Sequence, residues 1–312
     1  MAEVLKAALV QLTVGDDPAA NLGPTRALVA EAAERGATLV CTPEVTNLLT
    51  PDRGRQATLL YPEARDPTLA ALREDAARLG VWIAVGSISL KGEGAGEDEG
   101  EREGAGENGG GGKGGASADA RFVNRSFLIA PDGRIAARYD KIHMFDVTVS
   151  ASETYRESAA FRAGDRAVLA HGPDRLPIGM TVCYDLRFPH LYRRLAKAGA
   201  RVLMVPAAFN DTTGAAHWEV LLRARAIETG CFVLAAAQCG THPAPHSPDA
   251  RPRRSHGHSL AVAPWGEVLA DAGTEPGVTL VDIDLSQVAD ARARIPAWRH
   301  DPVIFGPEGV AR

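Results

Sequence analysis

Three residues with reactive side chains stand next to apolar, strand-like runs of the sequence. Cys183 follows an apolar run over 178–182, and Glu44 follows a second run over 38–42. Lys141 lies just past a predicted hairpin, within the stretch Tyr-Asp-Lys-Ile-His-Met-Phe-Asp. A thiol can attack an amide carbonyl, a carboxylate can take and return a proton, and an ammonium group can stabilise an oxyanion. Together these residue types indicate hydrolysis of an amide.

The surroundings of Cys183 bear on whether its thiol is reactive. Asp185 and Arg187 mark the point where the chain is predicted to reach the surface, which would make the thiol accessible. Pro189 suits the first residue of a helix that runs to about Gly199, and the partial positive charge at such a helix start would favour a thiolate. A second interpretation stays open, in which Cys183 is a small buried hydrophobic residue.

The rest of the pattern predicts alternating strands and helices, which must position these residues. Strands are predicted over 7–11, 38–42, 81–90 and 178–182, helices begin at Pro18, Pro67 and Pro189, and a further helix covers 217–228. A hairpin is predicted to join 121–130 to 134–139 around Pro131-Asp132-Gly133. On the helix over 217–228, one face is apolar and consists of Val220, Leu221, Ala224 and Ile227.

The second half of the chain repeats the first. Residues 36–43 have the form of 199–206, residues 79–85 resemble 229–235, and 126–135 match 259–268 at identical spacing. Two similar α/β halves that each bury one sheet face predict two sheets packed together, with helices outside. The repeat also serves as a control, because Pro43-Glu44 in the first half corresponds to Pro206-Ala207 in the second. The fold therefore does not require a carboxylate at that strand end, and Glu44 needs another explanation.

Composition indicates one globular domain over 1–312, interrupted by an acidic, glycine-rich insertion. Residues 91–119 hold eight acidic residues, three basic residues and twelve glycines, and we expect them to be disordered. They account for the whole formal charge of −5, so the remaining surface is balanced. A balanced surface predicts neither a nucleic-acid partner nor a membrane partner.

The four cysteines do not form the spacing of a disulfide framework in a chain of 312 residues. No segment approaches the roughly 20 apolar residues that a membrane helix needs. Glu3 and Lys6 interrupt the apolar N-terminal stretch, so no signal peptide is expected. These observations predict a reducing, cytoplasmic location.

Three stretches together resemble the glutamate-lysine-cysteine signature of the carbon-nitrogen hydrolase (nitrilase) superfamily. They are Thr-Pro-Glu at 42–44, Tyr-Asp-Lys-Ile-His-Met-Phe-Asp at 139–146, and Val-Cys-Tyr-Asp-Leu-Arg-Phe-Pro at 182–189. The stretches 215–228 and 235–240 are similar to the Nit branch of this superfamily, and within it to deaminated-glutathione amidases more than to ω-amidases. The resemblance covers the chain apart from the insertion.

This resemblance implies a four-layer αββα sandwich of two mixed sheets and, usually, a homodimer that stacks two such sandwiches. It implies that Glu44 is the general base, Cys183 the nucleophile and Lys141 the cation beside the oxyanion. Glu157 matches a second glutamate that many members place next to the lysine. The backbone N–H of Tyr184 would be a second oxyanion donor. The chemistry requires no metal and no organic cofactor.

The resemblance also implies a small-molecule substrate, namely an amide that carries a carboxylate, such as deaminated glutathione, cleaved through a thioester. Alternatives within the same superfamily are 2-oxoglutaramate, an N-carbamoyl amino acid or an aliphatic amide. Arg187 and His143 are basic groups that could meet a carboxylate. The full set of substrate-binding candidates is His143, Phe145, Arg187, Phe209, Asn210, Thr212 and His217.

Three other interpretations compete with this one. Cys239, His242, His256 and His258 have side chains of zinc-binding type, although His256 and His258 would point to opposite faces of a strand. A Cys-His hydrolase could use His143 or His217, but neither has an orienting acid that the sequence identifies. A catalytically silent binding protein with the same fold is the third.

Overall fold

The computed structural model describes residues 4–50, 52–92, 121–150, 153–247 and 252–306. Of the insertion predicted over 91–119, only residues 91 and 92 are described. The rest lies outside these ranges, so its predicted disorder stays a prediction. Two six-stranded mixed sheets form the frame of the described chain. In spatial order, the first sheet contains β16 (Gly277–Asp284), β1 (Val4–Gln11), β2 (Leu39–Cys41), β3 (Trp82–Leu90), β4 (Val123–Ile129) and β5 (Ile135–Asp140).

The second sheet has the same layout. In matching spatial order it contains β8 (Val168–His171), β9 (Pro177–Met180), β10 (Val202–Met204), β11 (Phe232–Ala235), β14 (Leu260–Val262) and β15 (Val268–Asp271). In each sheet three central strands are parallel, and the flanking strands are antiparallel. The two halves therefore correspond strand by strand, as the sequence repeat predicted.

Strand β1 shows how the four layers form. Leu5, Ala7 and Leu9 belong to one buried cluster with Ile178 and other residues of the second sheet. The alternate residues of β1, Ala8 and Val10, pack instead in a cluster with the outer helices. Because successive side chains of a strand point to opposite faces, a strand covered on both sides must be apolar throughout. The predicted αββα sandwich is confirmed.

Six helices cover the described chain on the outside of the sheets and at the C-terminal end. They are α1 (Pro18–Glu34), α2 (Arg53–Leu59), α3 (Pro67–Leu79), α4 (Pro189–Lys197), α5 (Asp211–Thr229) and α6 (Ser286–Arg294). The side chains of Asp17 and Asp66 cap the first and third of them, directly before the prolines that the sequence places at the helix starts. No helix within the described ranges is long and apolar enough to cross a membrane.

The apolar face named for the helix over 217–228 is not its buried face. Val220 and Ile227 are 68% and 55% exposed, whereas Trp218, Leu222 and Ala226 are buried against the second sheet. Two stripes of the helix carry apolar residues, and the sheet covers only the one that holds the tryptophan. The helix also begins six residues earlier than predicted, at Asp211, because the side chain of Asn210 caps it by accepting from the N–H of Thr213.

Two short hairpins lie outside the large sheets. One consists of β6 (Asp146–Ser150) and β7 (Glu153–Arg156), and the other of β12 (Cys239–Thr241) and β13 (Arg254–His256). Single turns of 3₁₀ helix cover Glu63–Arg65, Glu157–Ala159, Pro173–Arg175, Cys183–Arg187 and Pro296–Arg299. The turn after β9 carries Cys183, and the turn after β7 carries Glu157.

Candidate active site

Glu44 lies in a tight turn that follows β2. The next residue, Val45, has a left-handed backbone with φ of 51°, which is strained for a β-branched residue. Its N–H donates to the hydroxyl of Ser87 over 2.9 Å, which holds the turn. Gly86 lies beneath, where a Cβ atom would come within 2.2 Å of the carbonyl oxygen of Thr42. Strand β3 therefore supports the turn from below.

The carboxylate of Glu44 is buried and accepts hydrogen bonds from both halves of the molecule. Its Oε1 accepts from Nζ of Lys141 at 2.9 Å and from Nδ2 of Asn124 at 3.0 Å. Its Oε2 accepts from the N–H of Ala208 at 2.8 Å, and the thiol of Cys183 is close enough to help lower the pKa of this carboxylate. The base predicted from the sequence thus contacts both the predicted cation and the predicted nucleophile.

Lys141 lies between two carboxylates. Besides Glu44, its Nζ contacts both oxygens of Glu157 at 2.9 Å. Glu157 is fixed in turn, because its Oε2 accepts from the N–H of Phe145 at 2.6 Å. The side chain of Asn124 lies between the two glutamates and, at 3.5 Å, also reaches Oε1 of Glu157. The ammonium group is therefore held in one position.

Cys183 stands at the end of β9 with a left-handed backbone, at φ of 48°. Its N–H donates to the carbonyl of Pro206 over 2.8 Å, and the residue is only 9% exposed. Non-glycine residues in this conformation are uncommon, and strain of this kind is found at sites where a side chain must be aimed. Here it accompanies a thiol whose pKa the carboxylate of Glu44 raises.

The titration behaviour of the site follows from burial and charge together. Burial and the neighbouring carboxylate of Glu44 raise the pKa of Cys183 well above its usual range. For Lys141, burial alone would lower the pKa, but the charges of Glu157 and Glu44 outweigh it and raise the pKa well above normal. Burial likewise pushes the pKa of Glu44 upward, but the charge and hydrogen bonds of Lys141, with those of Cys183 and Ala208, bring it below its ordinary value. The resting site therefore holds a protonated thiol, a charged lysine and a charged Glu44.

Two expectations for this region are wrong. The predicted thiolate is not favoured, because the sulfur is buried beside a carboxylate, and this outweighs the nearby start of α4. Asp185 does not mark a surface point, since it is fully buried. Its Oδ2 accepts from the N–H of Val182 at 2.9 Å and from the hydroxyl of Tyr139 at 2.7 Å. These hydrogen bonds offset the free-energy cost of burying the carboxylate.

Asp185 also orients His143, for which the sequence identified no orienting acid. Oδ1 of Asp185 lies 2.7 Å from Nδ1 of His143 and accepts from the N–H of the same residue at 3.0 Å. The imidazole ring stacks on Phe188 with the ring centres 3.6 Å apart. Asp185 thus links the segment that carries Lys141 to the turn that carries Cys183.

Aromatic rings form a wall beside these groups. Phe145 contacts Tyr155 and Tyr184, at 4.9 and 5.1 Å between ring centres. The guanidinium of Arg187 lies over Phe209 at 5.3 Å and over Tyr184 at 5.9 Å. Of the predicted binding residues, Phe145, Arg187 and Phe209 therefore share this wall.

The other predicted binding residues lie around the start of α5. His217 is exposed on that helix and its Nδ1 lies 3.3 Å from Nη1 of Arg187. Asn210 donates to the hydroxyl of Tyr155 at 3.1 Å and also contacts the carboxylate of Glu153. Thr212 is exposed on the first turn of the helix, away from the described hydrogen bonds of this group.

Sequence reasoning missed three residues near the site, namely Asn124, Tyr155 and Arg253. Asn124 gave a faint signal, as a polar residue in the predicted hairpin strand just ahead of Lys141. Arg253 lies far along the chain in an arginine-rich run, yet its Nη2 donates to the carbonyl of Ala208 at 3.0 Å. Its guanidinium lies 5.6 Å from the ring centre of Tyr155. Only the folded chain brings these residues to the site.

The residues with metal-ligand side chains are engaged in other contacts. His242 is buried, with its two ring nitrogens 2.7 Å from the carbonyl of Val14 and 2.7 Å from the hydroxyl of Ser255. His256 and His258 do not point to opposite faces, since their rings stack with centres 4.7 Å apart. The strand ends at His256, and left-handed backbone at Gly257 and His258 removes the alternation. Among the described residues no group of three or more histidine, cysteine or acidic side chains could hold a metal ion.

A buried thiol, a carboxylate that can take its proton and a lysine beside both define a class, the hydrolases that use a cysteine nucleophile. The profile of the carbon-nitrogen hydrolase family matches residues 6–293. The chain therefore belongs to the carbon-nitrogen hydrolase family.

Similar proteins include several named amidases. Deaminated glutathione amidase of Yersinia enterocolitica is 36% identical over 296 residues, which is 94% of this chain and 92% of that protein. The protein of the same name from Synechocystis is 45% identical over 178 residues, 57% of this chain, and the match spans 63% of its length. Omega-amidase NIT2 of Pongo abelii is 33% identical over 296 residues, 94% of this chain and 93% of its own.

Solved structures of the same superfamily share the fold. The NitFhit protein of C. elegans superposes with a TM-score of 0.78 at 32% identity, over 96% of this chain and 66% of that chain. A glutamate-to-glutamine mutant of the amidase from Nesterenkonia sp. AN1 superposes with a TM-score of 0.68 at 25% identity, over 94% of this chain and 98% of that one, and its structure shows acrylamide added at the active-site cysteine.

Proposed function

We propose that this protein hydrolyses a small amide that carries a carboxylate, with deaminated glutathione as the first candidate and 2-oxoglutarate and cysteinylglycine as its products. One observation carries the proposal: the carboxylate of Glu44 bonds to the Lys141 ammonium and neighbours the Cys183 thiol, whose pKa it raises. Relatives named deaminated glutathione amidase support the choice of substrate.

In the first half of the reaction, the sulfur of Cys183 attacks the amide carbon. Because the pKa of this thiol is raised by burial, little thiolate is present beforehand, and Glu44 takes the proton as the carbon-sulfur bond forms. The carbonyl oxygen becomes an oxyanion beside Lys141 and the backbone N–H of Tyr184. Each such donor is worth on the order of 3 kcal/mol in the transition state.

Collapse of this intermediate releases the amine. Protonated Glu44 gives its proton to the departing nitrogen, the carbon-nitrogen bond breaks, and a thioester on Cys183 remains. Glu44, again a carboxylate, then takes a proton from water as the water attacks the thioester. The acid leaves and the thiol regains its proton. In both stages of the reaction, Glu157 and Asn124 hold the side chains of Lys141 and Glu44 in position.

The experiment that tests this proposal compares wild type with Cys183→Ala and with Cys231→Ala. Cys231 is also buried, but it lies directly before β11 of the second sheet. Its thiol donates to the carbonyl of Ala200. We expect Cys183→Ala to abolish release of 2-oxoglutarate from deaminated glutathione, and Cys231→Ala to retain it. Mass spectrometry of quenched wild type should show an acyl adduct on the peptide that contains Cys183. Full activity in Cys183→Ala would falsify the assignment of the nucleophile.

A second candidate activity is that of an ω-amidase on 2-oxoglutaramate, because the relative named omega-amidase NIT2 aligns over nearly its whole length. Both substrates would deliver the same acyl group to Cys183 and differ only in the amine that leaves. The ratio of kcat/KM for the two amides decides between them.

We also propose that the protein is a homodimer that uses the exposed apolar face of α5. Val220 and Ile227 are exposed there, and Trp265, next to the glycine that Ile227 approaches, is 44% exposed. Exposed apolar patches of this kind favour association. The four cysteines are free and buried, which fits a reducing compartment, and we propose the cytoplasm.

A further inference from the structure

Arg253 is connected to the base of the site through a single residue. Its Nη2 donates to the carbonyl of Ala208 at 3.0 Å, and the N–H of Ala208 donates to Oε2 of Glu44 at 2.8 Å. One peptide segment therefore separates a guanidinium from the catalytic carboxylate. Arg253 directly precedes β13.

The guanidinium of Arg253 has a donor, Nε, that the described residues leave unpaired. Its Nε is covered and has no hydrogen-bond partner, and none of the described carboxylates forms an ion pair with this arginine. Arg254 beside it points to solvent and lies 3.6 Å from Asp211. A covered N–H without an acceptor is destabilising and rare in native proteins, and it marks a place where an acceptor from outside the chain would bind.

The charge of the site makes a cation necessary for an acidic substrate. With the thiol protonated, Glu44, Glu157 and Lys141 sum to one negative charge in a buried space. A second carboxylate brought into this space would be repelled unless a positive group met it. Lys141 is already paired with two glutamates and faces the oxyanion, so it cannot serve.

Arg253 stands where such a group is needed. Its guanidinium lies over the ring of Tyr155, whose hydroxyl accepts from Asn210. In a five-carbon dicarboxylic half-amide the amide carbon and the carboxylate carbon are four bonds apart, roughly 5 Å when extended. With the amide at Cys183 and Glu44, the carboxylate would then meet Arg253, which Ala208 links to Glu44.

We infer that Arg253 binds the carboxylate on the acyl side of the substrate, so that the enzyme selects half-amides of short dicarboxylic acids. The inference rests on the proposed function and adds to it the residue that recognises the acyl group. Arg187 stacks on Phe209 and is paired with His217. It then remains available for the amine side of the substrate.

The test compares two amides of equal length, glutaramate with its carboxylate and pentanamide without it, on wild type, Arg253→Gln, Arg253→Lys and Arg254→Gln. We expect Arg253→Gln to lower kcat/KM for glutaramate about 30- to 100-fold, the range of a hydrogen bond to a charged group, while kcat/KM for pentanamide stays within about threefold. Arg253→Lys should recover part of the loss, because it keeps the charge but not the fork of donors. Arg254→Gln should leave both amides within about threefold, since its side chain is exposed.

Two outcomes would overturn the inference. Equal losses on both amides would mean that Arg253 acts through Ala208 on Glu44, and unchanged values on both would mean that it does not touch substrate. If wild type cleaves neither amide, the proposed function fails separately. Glutarate binding to Cys183→Ala, compared with Cys183→Ala/Arg253→Gln by calorimetry, then still tests Arg253, because binding requires no turnover. Loss of glutarate binding in the double variant supports the inference, and equal binding overturns it.

Discussion

The two halves of the molecule share one backbone plan but differ in what stands at equivalent strand ends. In the first half, the residues after β2 and around β4 and β5 include Glu44, Asn124 and Lys141. Their counterparts by the repeat are Ala207, Gly257 and Thr274. The same architecture therefore forms with and without the charged cluster, which means that folding does not account for it.

The equivalent space beside the second half holds neutral hydrogen bonds around Gln11, the last residue of β1. Oε1 of Gln11 accepts from the N–H and the hydroxyl of Ser259, both at 2.8 Å, and its Nε2 donates to two backbone carbonyls, those of Gly273 and Glu275. All of its polar atoms are paired. Such a network fixes geometry without charge, whereas the first half concentrates three charges and strained backbone at Val45. The comparison separates a stabilising region from a reactive one.

The largest effect should come from removing charge in the first half. Glu44→Gln keeps the shape of the side chain but cannot take the thiol proton, so kcat should fall by about 10³-fold or more, near the upper range of general-base effects. Lys141 stays paired with Glu157, so the melting temperature should change little. Steady-state kinetics and thermal unfolding of the same preparation measure both. A large loss of stability in this variant would contradict the division of roles between the halves.

The reciprocal change places a charge at Gln11, the residue of β1 that bonds to the second half. Gln11→Glu buries a carboxylate among acceptors, because Gly273 and Glu275 offer only carbonyl oxygens to the atom that replaces Nε2. We expect a loss of roughly 3 kcal/mol in the free energy of unfolding at pH 8, smaller at pH 5 where the new group can take a proton. Urea unfolding at the two pH values measures it. The folded enzyme should keep most of its kcat, and a collapse of kcat with unchanged stability would contradict the prediction.

A pH effect should also arise from the second half, at His242. Burial lowers the pKa of His242 to about 4, while its ordinary value is 6.5. Between these values the unfolded chain binds the proton and the folded chain does not, so stability is full above pH 6.5 and is lost as the pH falls. The loss between pH 7.5 and pH 5 should be about 2 kcal/mol from this group.

The measurement is the urea midpoint of wild type and of His242→Gln at both pH values. The glutamine variant is less stable at pH 7.5, since it loses the bond to Val14 or to Ser255, but its midpoint should depend less on pH. An identical pH dependence in both proteins would show that His242 does not carry the effect.

Local patterns allowed the fold to be predicted, whereas the electrostatics of the site depends on distant contacts. The internal repeat and the aspartate-proline pairs before α1 and α3 are short-range signals, and the structure agrees with both. Glu44, Lys141 and Cys183 were named from their stretches, and the folded chain brings them together. The protonation state of Cys183 could not be predicted, because it depends on burial and on the carboxylate of Glu44. Glu44 is close in the folded protein but distant along the chain.

Other errors have equally specific causes. The burial of Asp185 follows from donors on β5 and on the segment after it, which the local sequence does not reveal. The stacking of His256 on His258 follows from left-handed backbone between them. Arg253 was not predicted because its partner Ala208 lies 45 residues earlier in the chain, so no motif contains both.

The smallest effect tests how the first half holds its strained turn. Ser87 corresponds by the repeat to Ala237, so Ser87→Ala copies the second half into the first. The variant removes the acceptor of the Val45 N–H, and we expect a loss of roughly 1–2 kcal/mol in stability. Because Val45 follows Glu44 directly, kcat should also fall about 3- to 10-fold through misplacement of the base. Ser89→Ala is the matched control, as the hydroxyl of Ser89 makes no hydrogen bond to the described residues although the residue is also buried on β3. A loss of stability in Ser87→Ala with unchanged kcat would show that the turn is fixed by other contacts, and the strain at Val45 would then belong to the fold and not to the placement of Glu44.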